Sequence, residues 1–135
     1  MSAVHDLASD DRVLPAGLVI RSWRDDSTRL VALYGELDLA SGPLLEQHLR
    51  RSGLPTPERL VIDLSGLEFL DCSGLHALLR VRERCQANGE MLSLLHGPRA
   101  VDRMFELTGT RSRFSFEDDA PSWDGDRYPG PSEVL

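Results

Sequence analysis

The residues best suited to chemistry lie together in one short segment, Asp71-Cys72-Ser73-Gly74, shortly after an apolar run. If a helix begins here, its first N–H groups have no helical partner and can hold an anion or a phosphoryl group. Ser73 can cap the helix, and Cys72 is either a nucleophile or an inert substitute for serine. Gly74 has no side chain, so we expect another protein or a nucleotide to approach closely there. The segment predicts either a regulatory surface or the nucleophile of a small enzyme.

Two acidic residues upstream, Glu36 and Asp38, form a second candidate group. A pair of carboxylates can perform acid–base catalysis, but no nucleophile or substrate pocket is evident beside this pair, so catalysis is disfavoured. Leu39, like the leucine between the two acids, is expected to anchor this loop to the domain. His76 falls on the polar side of the predicted helix and is interpreted as a solvated residue. Both groups therefore fit a binding surface better than an active site.

The pattern of apolar residues predicts the elements that position these side chains. The order ββαβαβα(β) predicts a single α/β domain in which helices pack against a mixed sheet of four to five strands. In this order a buried strand ends at Leu64, and a loop leads from it to the Asp71 segment. The predicted strands cover residues 18–23, 30–34, 60–64, 91–95 and 113–116, and the predicted helices cover 44–51, 73–87 and a stretch from Pro98 to about Gly109.

Length and composition set the domain boundaries. The chain has 135 residues, which fits one domain. Residues 1–16 lack periodicity and are expected to form a flexible arm, and residues 17–116 form the domain. Residues 117–135 combine six acidic residues with one arginine and several prolines and glycines, so they are expected to form a flexible acidic tail. Since no apolar run suits a secretory signal or a membrane span, a cytoplasmic protein is expected.

Charge and side-chain inventory exclude several classes of function. The net charge is −7, but residues 13–116 carry 13 arginines and 13 acidic residues, so direct binding to nucleic acid or to an anionic membrane is disfavoured. The chain has no lysine, which excludes Schiff-base chemistry. The four histidines lack the spacing of a zinc site, and no metal or other cofactor is expected. Cys72 and Cys85, ~20 Å apart on one predicted helix, are too distant to form a disulfide.

Several short motifs together resemble one known family, the anti-sigma factor antagonists (anti-anti-sigma factors) built on the STAS domain. The resemblance covers about residues 18–116, and it is the combination of motifs that is specific. The matching motifs are Gly35-Glu36-Leu37-Asp38, Asp63-Leu64-Ser65-Gly66-Leu67, Phe69-Leu70-Asp71-Cys72-Ser73-Gly74-Leu75, Asn88-Gly89-Glu90, Pro98, Val101 and Leu107-Thr108-Gly109.

The resemblance implies a regulator of transcription that acts by partner switching. Members of the family bind an anti-sigma factor, often a serine kinase, and thereby free a sigma factor; the kinase can phosphorylate the serine directly after the motif's aspartate, and a phosphatase restores binding. Cys72 stands at that position here, so Ser73 is the phosphorylation candidate, or else the protein is a constitutive antagonist or a non-phosphorylated scaffold or sensor subunit. A small enzyme that uses Cys72 remains the alternative. The expected partner-binding residues are Glu36, Asp38, Asp71, Cys72, Ser73, Gly74 and His76.

Overall fold

The predicted strands lie side by side in one mixed sheet. The computed structural model describes residues 12–13, 17–24, 27–50 and 57–119. In the sheet the strands follow the order of the chain; β1 to β3 are antiparallel neighbours, and β3 to β6 are parallel neighbours. The expected α/β fold with a mixed sheet is confirmed. The strands are β1 (Arg12–Val13), β2 (Leu18–Arg24), β3 (Thr28–Leu37), β4 (Arg59–Leu70), β5 (Met91–Leu95) and β6 (Phe116–Glu117), and the helices are α1 (Gly42–Arg50), α2 (Cys72–Asn88) and α3 (Arg99–Thr108).

Among the described residues the sheet has six strands rather than four or five, because each edge carries a strand of two residues. A strand this short shows no periodicity in the sequence. β1 lies inside the predicted arm, and Glu117 of β6 lies inside the predicted tail, so strand pairing passes both expected boundaries. Arg111–Arg113 form a 3₁₀ turn, which makes the expected edge strand over 113–116 wrong except at Phe116. Residues 1–11 and 14–16 of the arm and residues 120–135 of the tail lie outside the described residues.

The three helices pack on one face of the sheet. Strand side chains alternate between the two faces, and the helices contact the alternate set that includes Ile20, Leu33 and Ile62. A second cluster, in which Trp23 and Leu30 take part, belongs to the opposite face and consists of strand residues. The helices thus share one layer, and their starts lie beyond the ends of the parallel strands. The helical side chains of the main core are Leu45, Leu49, Leu75, Leu78, Val81, Cys85, Val101 and Phe105.

Strand β4 is longer than predicted. A β-bulge interrupts it near the residue at which the sequence analysis placed its end, and the strand continues beyond the bulge. The expected stop at Leu64 is wrong, since β4 continues for six more residues to Leu70, and four of them pair with β3. The pairing register shifts after Asp63, whose Oδ1 accepts hydrogen bonds from the Ser65 N–H (2.9 Å) and from the Ser65 hydroxyl (2.6 Å). Gly66 then lies against the Tyr34 ring, where a Cβ would come within 2.4 Å of a ring carbon. This bulge accounts for a polar, turn-like motif inside a strand.

Glycines end α2 and α3 at the predicted positions. Gly89 and Gly109 have φ angles of 75° and 71°, in the left-handed region that glycine adopts without steric penalty. Helix α2 extends one residue beyond each end of the predicted range 73–87, and α3 follows Pro98 as expected. The local signals for helix ends were therefore sufficient here.

Both cysteines lie on α2, and both are free thiols, as predicted. Cys72 is exposed, whereas burial of Cys85 raises its pKa to about 12. In the part of the chain that the structure describes, no group of three or more His, Cys, Asp or Glu side chains is placed to hold a metal ion. The described helices include none that is both long and apolar enough to cross a bilayer.

Candidate functional site

The ends of β3 and β4 bring the two candidate segments side by side. The strands run parallel, and their last pairs are Glu36 with Phe69 and Leu37 with Leu70. Just beyond them the Asp71 N–H donates a hydrogen bond to the Leu37 carbonyl at 3.4 Å. The loop after β3 and the start of α2 are therefore neighbours at the edge of the sheet formed by the carboxyl ends of the parallel strands. The order of strands and helices predicts this juxtaposition.

A network around Asp38 and Ser41 holds the loop after β3. The Asp38 carboxylate accepts hydrogen bonds from the N–H groups of Ala40 (3.0 Å) and Ser41 (3.1 Å). The bond from the Ser41 N–H is the largest of the causes that hold the pKa of Asp38 below its ordinary value. The buried Ser41 hydroxyl accepts from the Asp38 N–H and lies 2.9 Å from the Glu36 carbonyl, to which it donates. Asp38 thus shapes the loop instead of offering a free carboxylate, and Ser41 is a positioning residue that sequence reasoning did not place in the candidate site.

Asp71 caps the start of α2. Its backbone is extended, its Oδ1 accepts a hydrogen bond from the Gly74 N–H at 2.8 Å, and its carbonyl accepts from the Leu75 N–H at 2.9 Å. Since Asp71 occupies the N-cap position, the interpretation of Ser73 as the cap is wrong; Ser73 is the second residue of the helix. A negative side chain at this place also interacts favourably with the helix dipole.

The first turn of α2 presents polar side chains to solvent. Cys72 and His76 are exposed, the latter as predicted, and Ser73 is half-buried. The Asp71 carboxylate is already engaged by a helical N–H group. What this turn offers on the outside is consequently a thiol, a hydroxyl and an imidazole rather than an empty anion site.

Gly74 is required for packing inside the domain. It is buried, and a Cβ on it would lie 2.1 Å from the Leu37 carbonyl oxygen and 2.9 Å from the Leu70 Cδ1. Gly42 of α1 makes a similar approach to α2, where its Cβ would lie 3.0 Å from that of Ala77. The expectation that Gly74 gives a partner room to approach is therefore wrong: the space of the missing side chain is filled by β3.

A second bulge lies at the end of β4. Gly35 pairs with Leu67 and Glu36 pairs with Phe69, so Glu68 is an extra residue without a partner on β3. A bulge interrupts the alternation of side chains, and here two successive residues, Glu68 and Phe69, are exposed. Register between distant strands decides this geometry, and the sequence alone gives no direct signal for it.

Two large apolar side chains are exposed at this edge, and sequence reasoning missed both. Phe69 is 47% exposed, and Leu39, in the loop after β3, is 74% exposed. The prediction that Leu39 anchors the loop is wrong, whereas the same prediction for Leu37, which is fully buried, is confirmed. The edge therefore combines apolar and acidic groups. Its carboxylates are Glu36, Asp38, Glu68 and Asp71, and residues 35–41 and 66–77 contain no arginine.

Comparison with known proteins agrees with this fold. The STAS domain family matches residues 22–121. The anti-sigma-F factor antagonist RsfA of Mycobacterium tuberculosis is 31% identical over 86 residues, which are 62% of this chain and 67% of RsfA. The crystal structure of an anti-sigma factor antagonist from Mycobacterium paratuberculosis is 28% identical, with a TM-score of 0.67 over 80% of this chain and 92% of that one. The unphosphorylated antagonist SpoIIAA, 18% identical, shares the fold with a TM-score of 0.63 over 74% of this chain and 89% of its own. The family match spans most of the chain and confirms the resemblance seen in the motifs: this chain belongs to the STAS domain family.

Proposed function

We propose that this protein is an anti-sigma factor antagonist: it binds an anti-sigma factor in the cytoplasm and frees a sigma factor, and so regulates transcription without binding nucleic acid. The observation that carries the proposal is the exposed edge where the loop after β3 meets the start of α2. The proposal is also supported by two relatives, 28% and 31% identical to this chain, that are named anti-sigma factor antagonists. The binding surface comprises residues 36–39 and 68–76.

Hydrogen bonds and close packing within the domain hold the backbone of this surface. Asp38 and Asp71 accept backbone hydrogen bonds within their own segments, and Gly74 packs directly on Leu37. A surface whose backbone is already ordered loses little conformational entropy when it binds. Among the expected partner-binding residues, Asp38, Asp71 and Gly74 therefore act as positioning residues. The contacts come from the exposed side chains of Glu36, Cys72 and His76 and from the half-buried Ser73.

The partner is a serine kinase in this proposal, and its target is Ser73. In the transfer, the Ser73 oxygen bonds to the γ-phosphorus of ATP while the bond from that phosphorus to ADP breaks; ADP leaves, and the hydroxyl proton passes to a base of the kinase. Cys72 is the more exposed of the two side chains, but a thiol is a poor phosphoryl acceptor. A phosphate adds about −1.5 to −2 charges. It would stand two residues from Asp71, at an edge that already carries four carboxylates, and would weaken binding until a phosphatase removes it.

Binding and phosphorylation are tested separately. In the first experiment, calorimetry measures the affinity of the full chain for a purified anti-sigma factor kinase encoded by the same organism. We expect saturable 1:1 binding per subunit; the absence of binding to every such kinase would contradict the antagonist role.

The second experiment maps phosphosites after incubation with the kinase and ATP. We expect label on Ser73 in the wild type and none in Ser73→Ala, while Ser112→Ala, which alters an exposed serine of the 3₁₀ turn, serves as the control. Label that persists in Ser73→Ala would contradict the assignment. Binding without any label would leave a constitutive antagonist, in which Cys72→Ser is the variant expected to restore a switch.

A further inference from the structure

We infer that Leu39 and Phe69 are the apolar anchors of the partner-binding surface, and that Glu36 and Glu68 steer towards them a basic partner surface with an apolar recess. The inference rests on the proposed function. It adds which side chains carry the affinity and which chemistry the anti-sigma factor must present.

The exposure of the two anchors is specific to their place in the fold. Their neighbours Leu37 and Leu70 are 0% and 5% exposed, so the apolar residues at this edge divide sharply into buried and open ones. The bulge at Glu68 turns Phe69 outward. Single exposed apolar residues are common, but here two occur together: Phe69 in the last residues of β4, and Leu39 two residues beyond the Leu37–Leu70 pair that ends the β3–β4 pairing.

Both anchors are held on ordered backbone. Leu39 lies between Asp38 and Ala40, which are joined by the hydrogen bond from the Ala40 N–H to the Asp38 carboxylate. Phe69 belongs to β4 and is paired with Glu36. Aromatic and large aliphatic side chains on rigid backbone are suited to fill pockets of a partner, because few torsions must be fixed on binding.

The charge at this edge selects the partner's chemistry. Asp38 and Asp71 accept hydrogen bonds from backbone N–H groups of their own segments, whereas Glu36 and Glu68 are exposed. With four carboxylates and no arginine in residues 35–41 and 66–77, a protein that covers the edge must bring positive charge. Complementary charge at a rim acts mainly on the rate of association, and salt screens it.

Matched variants test the anchors. The other large exposed hydrophobic residues in the described part of the chain, Leu107 in α3 and Met91 at the start of β5, are each 69% exposed and lie away from this edge. With the purified anti-sigma factor, we expect Leu39→Ala and Phe69→Ala each to raise the Kd by about tenfold or more, and Leu107→Ala and Met91→Ala to stay within about twofold. Thermal unfolding of each variant verifies that the fold is retained.

A second pair of variants tests the charge. The double variant Glu36→Gln/Glu68→Gln should lower the association rate constant several-fold at low salt and flatten its dependence on ionic strength. The control is Glu83→Gln/Glu106→Gln, which removes two exposed carboxylates from α2 and α3 and should leave both quantities nearly unchanged.

The outcomes separate this inference from the proposed function. If Leu39→Ala and Phe69→Ala bind the anti-sigma factor with the same Kd as the wild type, the inference is overturned and the antagonist role stands. Failure of the wild type to bind would overturn both. Self-association that these two variants abolish, with unchanged binding of the anti-sigma factor, would assign the patch to a second copy of the chain and also overturn the inference.

Discussion

Helices α2 and α3 both begin after a parallel strand, yet their first turns are built differently. At α2 the cap is Asp71, which precedes the helix and bonds to the Gly74 N–H, so that the side chains of Cys72 and Ser73 remain available. At α3 no side chain caps the helix from Pro98. Instead, Asp102 in the first turn bonds back to the Gly97 N–H at 3.0 Å and to a ring nitrogen of His96 at 3.0 Å.

The apolar side chains near the two starts differ in the same way. His96 stacks on Phe116 at 4.9 Å, and Phe105 meets Phe114 and Phe116 edge-on at 5.4 and 5.1 Å. At the α2 start, Phe69 and Leu39 remain exposed. Two connections of similar topology are therefore completed differently. Side chains at the α3 start contact other side chains of the domain, whereas those at the α2 start are exposed, as the proposed binding surface requires.

The largest contrast is expected in the reactivity of the two thiols, Cys72 and Cys85. Burial raises the pKa of Cys85 to about 12, so at pH 7 only about one molecule in 10⁵ carries the thiolate there. Cys72 is exposed at the open start of α2. Ellman's reagent should therefore titrate one thiol per native chain, and Cys72→Ser should remove that reaction. Rapid modification of two thiols in native protein would show that the α2 core opens easily.

The next largest effect concerns Gly74. In Gly74→Val the new Cβ would meet the Leu37 carbonyl at 2.1 Å, so we expect the free energy of unfolding to fall by about 3 kcal/mol. The control is Gly89→Ala, where space is open and only the left-handed backbone is penalised, by about 1 kcal/mol. Urea unfolding compares the two, and equal losses would contradict the internal role of Gly74.

Separate replacement of the two aspartates, Asp71 at the start of α2 and Asp102 at the start of α3, sharpens the comparison further. Asp71→Ala should destabilise the protein by about 1 kcal/mol through loss of the cap, and Asp71→Asn should retain most of that stability. Asp102→Ala should have a similar effect on unfolding, because the Gly97 N–H loses its acceptor. Only Asp71→Ala should also weaken binding of the anti-sigma factor. An equal loss of binding in Asp102→Ala would mean that the α3 start belongs to the same surface.

The smallest effect should appear in acid, at the edge strand beside α3. A hydrogen bond from Ser93, followed by the interactions with Arg59, lowers the pKa of Glu117. Because the pKa in the folded state is lowered, the stabilisation is complete above the unfolded pKa and is lost as pH falls through the folded value. We expect this interaction to contribute less than about 1 kcal/mol to the free energy of unfolding, because the side chains of Arg59 and Glu117 are both partly exposed. Unfolding measured between pH 7 and pH 3 should show a slightly larger loss of stability in the wild type than in Glu117→Gln, because the variant retains only the contribution of groups such as Asp38, whose pKa is also lowered. Equal losses would contradict the contribution of Glu117.

Local signals predicted much of the fold. Apolar runs located four strands, and Pro98, Gly89 and Gly109 located helix ends, because each signal acts within a few residues. The bulges at Ser65 and Glu68 escaped prediction because they depend on the register between β3 and β4.

The candidate site was predicted in its location but not in its details. The adjacency of the loop after β3 and the start of α2 followed from the order of the elements. By contrast, a glycine needed for internal packing looks the same in a sequence as one that admits a partner, which is why Gly74 was misjudged. Leu39 was misjudged for a related reason, since a single loop leucine carries no sign of which way it points.

Displacement of a sigma factor tests the central claim most directly. A fluorescent sigma factor is bound to its anti-sigma factor, the full wild-type chain is titrated in, and anisotropy reports the free sigma factor. The account predicts a saturable fall in anisotropy with the wild-type chain, a similar fall with Leu107→Ala, and a titration shifted to at least about tenfold higher concentration with Phe69→Ala. Unchanged anisotropy at saturating wild-type chain, for every anti-sigma factor of the same organism, would contradict the account.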